Sequence, residues 1–529
     1  MNDDDRLTRY LTDRAEGLTL APGSADAVMR RASRRRLRRR GVVLTSAIAI
    51  GVVGTTAVLN RDSGGQPLHT ADNVTPVTPS AYHWSTVKPG HGLGYSHATA
   101  QLADGSIYSL STAPGPYDPN KVDQGTSLYR TTDGAEWSQV AGPSGLSASD
   151  LASAGGDLYA VGTAPAGGSA KSISVASRSA SGAWSSAPLP SDLVALQERH
   201  PGQIALGNLE LAAKDASHLV VSVTAVANLD PQQLRPELKD QNVMTTWTDT
   251  GLDVRQLPSC TAPTNLPNTK PAAAVKASGV ACKADAQAAA SGPVSAHYSY
   301  DQLGVDPELR TLVNGRTYAY ASDDGHTFQP VTLPVADHAY VAGLVALADG
   351  YHLVESDQGQ TGTSTVLSSA DGHTWTADGS LSGSAQSVGQ LGGHLAVSTL
   401  STNGDSTAVE IRQPDGSWHA LPLVGDVPTP AGGSAYIGEV AFGPLGMAAT
   451  AGSFKDKQGG VSGTYLLHSS DGSSISVEDI GAAVGSPKQP VGVIVTADAI
   501  AVRLSDPSPD AGQPGHVPTQ TVLVGTPAG

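Results

Sequence analysis

Few side chains in this sequence have the types and spacing that catalysis or metal binding requires. Asp323 and Asp324 precede Gly325 and could begin a calcium loop, but Asp-Gly is equally the signature of a tight turn. Single exposed imidazoles without partners rarely bind metal, and four lie in or beside such turns: His326, His373, His419 and His468. The sequence contains no nucleophile elbow, no His-Glu-x-x-His helix and no phosphate-binding loop. We therefore expect no catalytic residue, no metal site and no cofactor, which favours a role other than that of an enzyme.

The chain has two cysteines, Cys260 and Cys282. A zinc site would need further Cys or His ligands, and residues 255–290 offer none. If this part of the chain lies outside the cytoplasm, the pair is predicted to form a disulfide that closes a local loop.

Charge is divided unevenly along the chain. Residues 1–60 contain eleven Arg and six acidic residues, which leaves 21 basic and 42 acidic residues in 61–529. Such an acidic body lacks the basic surface patch that binds nucleic acid, so a nucleic-acid partner is excluded. Abundant Gly (60) and Pro (35) with 15% charged residues indicate many short strands joined by turns.

An uncharged segment of membrane-spanning length covers residues 41–59. Eight Arg between Arg30 and Arg40 precede it, so the positive-inside rule predicts a cytoplasmic tail (1–40) and an extracytoplasmic body. The Arg run is also expected to attract anionic lipid headgroups. A secretory signal peptide cleaved near Thr55–Ala57 is the alternative, but the forty preceding residues are longer than its usual charged region. Residues 60–81, rich in Ser, Thr, Pro and Gly, are predicted to form a flexible linker.

A recurring hairpin pattern determines the predicted fold of residues 82–529. Each copy has a short apolar strand, small polar residues, Asp-Gly and then a bulky residue on the next strand. The clear copies cover 128–140, 318–331, 366–378, 410–422 and 466–479, and weaker copies cover 174–188 and 244–258. The turns and rings that carry the pattern are Asp133, Gly134, Trp137, Trp184, Asp324, Gly325, Phe328, Asp371, Gly372, Trp375, Asp415, Gly416, Trp418, Asp471 and Gly472. Asp-Gly favours a hairpin because Gly accepts the positive φ and Asp bonds neighbouring amides.

A second pair of apolar runs lies between successive hairpins, for example at 343–356, 387–400 and 440–453. Four strands per repeat of about 45–50 residues predict an all-β protein with the blades of a β-propeller. Residues 491–504 and 519–527 are expected to combine with 82–90 in one composite blade that closes the ring. This counting favours eight blades, with seven as the alternative, because region 202–335 is irregular. Residues 259–300 are predicted to form an insertion that the disulfide between Cys260 and Cys282 holds together.

The copies resemble the Asp-box repeats of the bacterial neuraminidase family. The best match is Ser369-Ala370-Asp371-Gly372-His373-Thr374-Trp375, which differs from the family pattern by placing Gly directly after Asp. This resemblance implies turns between the third and fourth strands of each blade, on the rim and away from the central cavity.

The resemblance also raises the question of sialidase chemistry. Neuraminidases clamp a carboxylate with three Arg and use a Tyr nucleophile, a Glu and an Asp acid. The Arg-Ile-Pro segment that supplies the first clamp Arg is absent from this sequence. Arg130, Arg178 and Arg412 fall in repeat-equivalent strands, where rim ion pairs are the expected use.

These observations favour a membrane-anchored propeller that binds a protein or a cell-envelope glycan. A sialidase-like glycoside hydrolase on the same fold is one alternative. The other is a transmembrane regulator whose basic tail binds a cytoplasmic partner such as a sigma factor. The tail resembles the cytoplasmic ends of bacterial anti-sigma regulators, although residues 1–40 lack the His and Cys of their zinc-binding form.

Overall fold

The computed structural model describes residues 70–71, 81–87, 96–111, 127–134, 136–179, 181–239, 243–256, 294–334, 339–357, 362–400, 407–430, 434–454, 461–505 and 520–528. The predicted tail, the apolar segment 41–59, both cysteines and most of the linker lie outside these residues. Within them, no helix has the length and apolar character needed to cross a membrane.

The described chain is built from successive antiparallel sheets, which we number 1 to 7. Sheet 1 contains Ser96–Gln101, Ile107–Ser111, Ser127–Thr131 and Ser138–Val140; sheet 2 contains Ser147–Ala154, Asp157–Gly167, Ala170–Arg178 and Trp184–Pro188. Sheet 3 contains Ile204–Ala213, Leu219–Ala227, Arg316–Ser322 and Gln329–Val331; sheet 4 contains Ala339–Leu347, Gly350–Asp357, Thr363–Ser369 and Thr376–Ser382. Sheet 5 contains Ser384–Leu391, His394–Leu400, Thr407–Arg412 and Trp418–Ala420.

The last two sheets include additional pairings. Sheet 6 contains Ser434–Gly443, Gly446–Phe454, Val461–Ser469 and Ile475–Asp479, with Leu423–Val424 added in parallel beside Ile475–Asp479. Sheet 7 contains Gln489–Val495, Ile500–Ser505, Gln520–Pro527 and Tyr82–Val87. Thr70–Ala71, within the predicted linker, pairs in parallel with Val427–Pro428.

Consecutive sheets pack face to face, and we call each such interface a seam. From sheet 1 to sheet 7, the first strand of each sheet contacts the first strand of the next. A separate hydrophobic cluster fills each seam from 1–2 to 6–7. A further cluster around Tyr129, Ile494 and Val524 joins sheet 7 back to sheet 1. A circular array of four-stranded antiparallel sheets is the architecture of a β-propeller.

The two ends of the described array meet in sheet 7. Tyr82–Val87 pairs antiparallel with Gln520–Pro527, so the outermost strand of the last sheet comes from the start of the array. Glu478 of sheet 6 is buried and accepts hydrogen bonds from Trp84 Nε1 at 2.5 Å and from the Ala81 amide at 3.1 Å. This composite sheet matches the arrangement predicted for ring closure, and it covers a sheet edge that would otherwise be open.

The hairpin at 244–258 is not the outer half of a blade, which corrects the interpretation of this weak copy of the repeat. Val243–Thr248, Gly251–Gln256 and Ala296–Ser299 form a separate three-stranded sheet. This sheet lies between the second and third strands of sheet 3 along the chain. The helices described are α1 (Asp192–Arg199), α2 (Pro231–Leu234) and α3 (Pro307–Arg310), with 3₁₀ turns at Pro236–Leu238 and Ala482–Val484.

Seam 3–4 contains a buried carboxyl group, that of Glu355. Glu355 is 1% exposed, and neither of its oxygens has a hydrogen-bond partner within the described residues. Burial raises the pKa of Glu355 to about 7, and the nearby Thr317 hydroxyl offsets only part of this effect. The protonated form of Glu355 is therefore the one that this seam tolerates best.

Gly325→Ala is predicted to destabilise the protein by roughly 3 kcal/mol. Gly325 has φ +74°, and a Cβ added there would meet the Ala216 carbonyl oxygen at 2.4 Å. Gly105→Ala is the matched control, because Gly105 has φ +82° but open space around the added Cβ, so only about 1 kcal/mol is expected. Urea unfolding of both variants measures the difference, and equal losses would contradict the close packing of the turn.

Glu355→Gln is predicted to stabilise the protein by about 3 kcal/mol at pH 9 and to have little effect near pH 4. The folded-state pKa is raised, so the folded protein binds more protons than the unfolded chain between about pH 4.5 and 7. Stability from this group is therefore lost as the pH rises through that window. Glu308→Gln should show the opposite sign, because the Arg199 hydrogen bonds lower the pKa of Glu308. A stability gain for Glu355→Gln that is independent of pH would exclude this explanation.

Candidate functional site

The predicted Asp-Gly turns connect the third and fourth strands of sheets 1, 3, 4 and 6 and share a hydrogen-bond pattern. In sheet 4, Ser369 Oγ donates to Asp371 Oδ1 at 3.0 Å and accepts from the Gly372 amide at 2.8 Å. Asp371 Oδ1 also accepts from the amides of His373 and Thr374, each at 2.9 Å. Equivalent bonds surround Asp133 and Asp324, and Asp471 repeats part of the pattern. The chain forms this turn because short polar side chains accept hydrogen bonds from its backbone amides.

These backbone bonds also fix the charge of the turn carboxylates. The amides of Thr327 and His326 hold the pKa of Asp324 well below its usual range, and those of Thr374 and His373 lower the pKa of Asp371. Asp323 instead bonds to His373 Nε2 at 3.0 Å, which joins the turns of sheets 3 and 4. The acidic pair is thus engaged in turn structure rather than arranged as a calcium loop.

The bulky ring of each repeat packs into the seam with the preceding sheet. Trp137 lies in seam 7–1, Trp184 in seam 1–2, Phe328 in seam 2–3, Trp375 in seam 3–4 and Trp418 in seam 4–5. The indole N–H groups of Trp137 and Trp375 donate to the carbonyls of Gly134 and Gly372 in their own turns. The repeat residues therefore build seams one at a time, and the fold does not bring them together in one site.

The turns of sheets 2 and 5 lack the hydrogen-bond pattern described for Asp371, and in both sheets an Arg ends the third strand. Arg178 Nη1 donates to Tyr108 of sheet 1 at 3.1 Å, and Arg412 Nη2 pairs with Asp378 of sheet 4 at 2.6 Å. Gly416 of the sheet 5 turn, next to Asp415, has φ +85°. Arg130 bonds to Ser106 of its own sheet. The three predicted Arg are therefore used at separate rim contacts and do not form a carboxylate clamp.

A large excursion that we call the insert (228–315) leaves sheet 3 between its second and third strands. In a four-stranded antiparallel sheet, this connection lies at the end opposite the turn between strands three and four. The insert is thus at the opposite end of sheet 3 from Asp324 and Gly325. Its described residues include α2, α3 and the three-stranded sheet, so it is larger than the predicted 259–300 excursion.

The insert shares a hydrophobic core with seam 2–3. Trp247 and Tyr300 stack with ring centroids 6.1 Å apart, and Leu252 and Leu312 are fully buried. All four belong to the cluster that also contains the seam residues of sheets 2 and 3. Tyr300 donates its hydroxyl hydrogen to the Thr248 carbonyl, and Arg235 lies 4.0 Å over the Tyr298 ring. This continuous packing gives the insert a fixed position on sheet 3.

An ion-pair network fastens the insert to α1, which lies between sheets 2 and 3 along the chain. Arg199 contacts Glu308 of α3 through two hydrogen bonds of 3.0 and 3.1 Å. His200 Nε2 lies 2.9 Å from Glu308 Oε2. Gln197 anchors the other side of α1, because its amide bonds to both backbone groups of Lys171. The sequence alone does not reveal this network, because Arg199 and His200 are more than 100 positions from Glu308.

His200, Asp306 and Glu308 have the composition of a metal site, and their ligand atoms lie within 4.8 Å of one another. The donor atoms, however, already have other partners. Arg199 occupies both Glu308 oxygens, and Asp306 Oδ1 accepts the Glu308 amide as the N-cap of α3. The arrangement fits a structural ion-pair network better than a metal centre.

The histidines of the turns are not all surface residues. His468 is mostly buried, and its ring meets Tyr82 edge-on with centroids 5.2 Å apart. Burial lowers the pKa of His468, so its interpretation as a surface turn residue is wrong.

No protein-family model matches the chain, and no curated protein matches it. Several solved structures match the chain, all at low similarity. An α-L-arabinofuranosidase of Fusarium graminearum is 11% identical with a TM-score of 0.32, over 84% of this chain and 98% of the other. A Trypanosoma rangeli sialidase is 10% identical (TM-score 0.32; 84% and 59% covered). The β-propeller domain of Cps50 (Swd1) from Myceliophteria thermophila is 12% identical (TM-score 0.34; 85% and 99% covered). At these values the likeness says nothing about function.

Proposed function

We propose that this chain is a membrane-anchored, extracytoplasmic β-propeller that acts as a binding or scaffold module for a protein or a cell-envelope glycan. The observation that carries the proposal is the insert, a second structural layer fixed to one end of a single sheet by a shared core. Excursions of this kind on a rigid scaffold are where binding residues concentrate.

The scaffold is proposed to have seven blades. Each of sheets 1 to 7 supplies one blade, and the seven hydrophobic clusters between them form a closed cycle. The weak repeat copy at 244–258, which the count of eight blades included, belongs to the insert instead. A closed ring holds its end surfaces rigid, which lowers the entropic cost of binding a partner there.

A binding role is favoured over glycoside hydrolysis by the way the Arg side chains are used. Arg178 and Arg412 each reach the preceding sheet, and Arg130 stays within its own, so no pair of them converges on one substrate group. In the described part of the insert, Arg199 already binds both carboxylate oxygens of Glu308.

The membrane attachment follows from the sequence of the N-terminal part. Residues 41–59 have the length of a bilayer core, and the eight Arg before them favour retention in the cytoplasm. On this arrangement the insert is exposed outside the cell membrane, where a Cys260–Cys282 disulfide would stabilise the connection between its second and third strands.

The binding proposal is tested with a photo-crosslinking amino acid placed at Val294, which is 42% exposed in the insert. Val424 is the matched control, because it is 50% exposed beside Ser476, close to the Asp471 turn. We expect discrete adducts in intact cells from position 294 and none from position 424. Absence of adducts at 294, or equal adducts at both positions, would contradict the insert as the binding surface.

The topology proposal is tested by fusing alkaline phosphatase after residue 529, which should give an enzyme that is active outside the cytoplasm. Replacing the eight Arg of 30–40 with Glu should remove most of that activity, because charges close to the apolar segment set its orientation. Replacing Arg6, Arg9 and Arg14 with Glu should have little effect, since they lie far from it. An inactive wild-type fusion would refute the proposed orientation.

A further inference from the structure

The buried carboxyl group of Glu355 lies against the part of sheet 3 from which the insert leaves. The Thr317 hydroxyl is close enough to offset part of the effect of burial on the pKa of Glu355, but Thr317 Oγ1 and both Glu355 oxygens have no hydrogen-bond partner among the described residues. Thr317 pairs with Thr224, and one further register pair follows before the insert begins. We call residues 224–227 and 316–318 the root of the insert, and Glu355 therefore lies beside the root.

Two further contacts hold sheets 3 and 4 together at this end of the seam. The Val341 amide donates to Thr224 Oγ1 at 3.4 Å, and the Val341 carbonyl accepts from Asn208 Nδ2 at 2.6 Å. Val341 is the register partner of Glu355, so both contacts lie next to the carboxyl group. Separation of the sheets here would break these contacts and expose Glu355, which is two residues from the end of its strand at Asp357.

A carboxyl group at this position is specific to sheet 4. In each of sheets 1 to 7 the first strand has a β-bulge, and Glu355 pairs with the residue directly before the bulge of its own sheet. The residues at the same place in the other six sheets are small, hydroxyl-bearing or aliphatic: Ser111, Gly162, Ala225, Thr399, Ala451 and Leu504. The repeat itself therefore does not require a carboxyl group here, and the sheet that has one contacts the root.

The ionised form of Glu355 would have no counter-ion in this seam. Among the described side chains on the strands of sheets 3 and 4, Glu210 and Tyr351 are the other titratable groups that face it. Glu210 is a second buried carboxyl group, and Tyr351 donates its hydroxyl hydrogen at the opposite end of the seam. Arg316 lies over the Tyr318 ring, on the other face of sheet 3. A carboxylate without a cation or a hydrogen bond is costly to bury, so ionisation favours its exposure to water.

We propose that the protonation state of Glu355 controls how firmly the insert is held. Protonated Glu355 allows sheets 3 and 4 to close beside the root, whereas ionised Glu355 separates them there, breaks the Val341 contacts and loosens the insert. This inference rests on the proposed binding function and adds its regulation: the insert is fixed for binding in a mildly acidic medium and is loosened at neutral or alkaline pH.

The direction of the effect follows from the raised pKa of Glu355, which is about 7 in the closed seam and near 4.5 once the group is exposed. Opening at the root therefore releases a proton, and it becomes more favourable as the pH rises from 4.5 to 7. Above pH 7 the group is ionised in both forms, so the opening no longer depends on pH.

Amide hydrogen exchange of the full chain in detergent tests the inference, because it detects local opening without a partner. Protection factors, which are corrected for the intrinsic effect of pH on exchange, are compared at pH 5, 6, 7 and 8. For the root and for the insert strands Val243–Thr248 and Gly251–Gln256, we expect protection to fall by about tenfold or more between pH 5 and 7 and then to level off. Glu355→Gln should keep high protection at all four pH values, because its side-chain amide does not ionise.

Glu410→Gln is the matched control, because burial also raises the pKa of Glu410, which belongs to sheet 5 and not to the seam beside the root. This variant should show the same fall in protection as the wild type. Strand Gly446–Phe454 of sheet 6 is the internal reference and should stay better protected than the root at pH 8. The inference fails if Glu355→Gln retains the wild-type fall or if the root changes without the insert. It also fails if sheet 6 is no better protected than the root, since the insert would then be released only by global unfolding.

Crosslinking at Val294 separates this inference from the binding proposal. Val294 adducts together with protection that is independent of pH would reject the control by Glu355 alone. A pH-dependent loss of protection in the root without Val294 adducts at any pH would reject the insert as the binding surface, while the control by Glu355 would stand.

Discussion

The structure depends on closure of its ring. A linear row of sheets would leave one open edge and one uncovered face at each end, both of which invite association with other chains. Here the strand Tyr82–Val87 returns to pair with Gln520–Pro527, and the Tyr129 cluster covers the face between sheets 7 and 1. The buried Glu478 accepts two hydrogen bonds at this junction, so a carboxylate that would be costly alone has partners.

The repeat serves this closure through packing rather than through chemistry. In the five copies that have a bulky ring, the ring enters the seam with the preceding sheet, and in sheet 4 the Trp375 indole also donates to the Gly372 carbonyl of its own turn. Because all seams follow one plan, departures from the plan are informative. The insert on sheet 3 and the buried carboxyl of Glu355 in seam 3–4 are two such departures. They are adjacent around the ring, on sheets 3 and 4.

Local patterns in the sequence were sufficient to predict the all-β class, the hairpins and the composite last sheet. Asp-Gly followed by a ring is short-range information, and alternation places the strands around it. The 244–258 hairpin was misassigned because Trp247 and its Thr-Asp-Thr-Gly turn imitate the repeat, whereas strand order depends on distant pairing. Burial of His468 and the Arg199–Glu308 pair depend on contacts between elements that are far apart in the sequence. No single window of sequence contains those contacts.

The choice of closing strand has a mechanical consequence. Tyr82–Val87 is the first long strand of the described chain, and only the two-residue pairing at Thr70–Ala71 precedes it. A pulling force transmitted from the N-terminal side would reach that short pairing first and then the junction of sheets 6 and 7. The strand pairing that closes the ring therefore lies where such a force would act. The hydrogen bond from Trp84 to Glu478 resists separation of the closing strand from sheet 6.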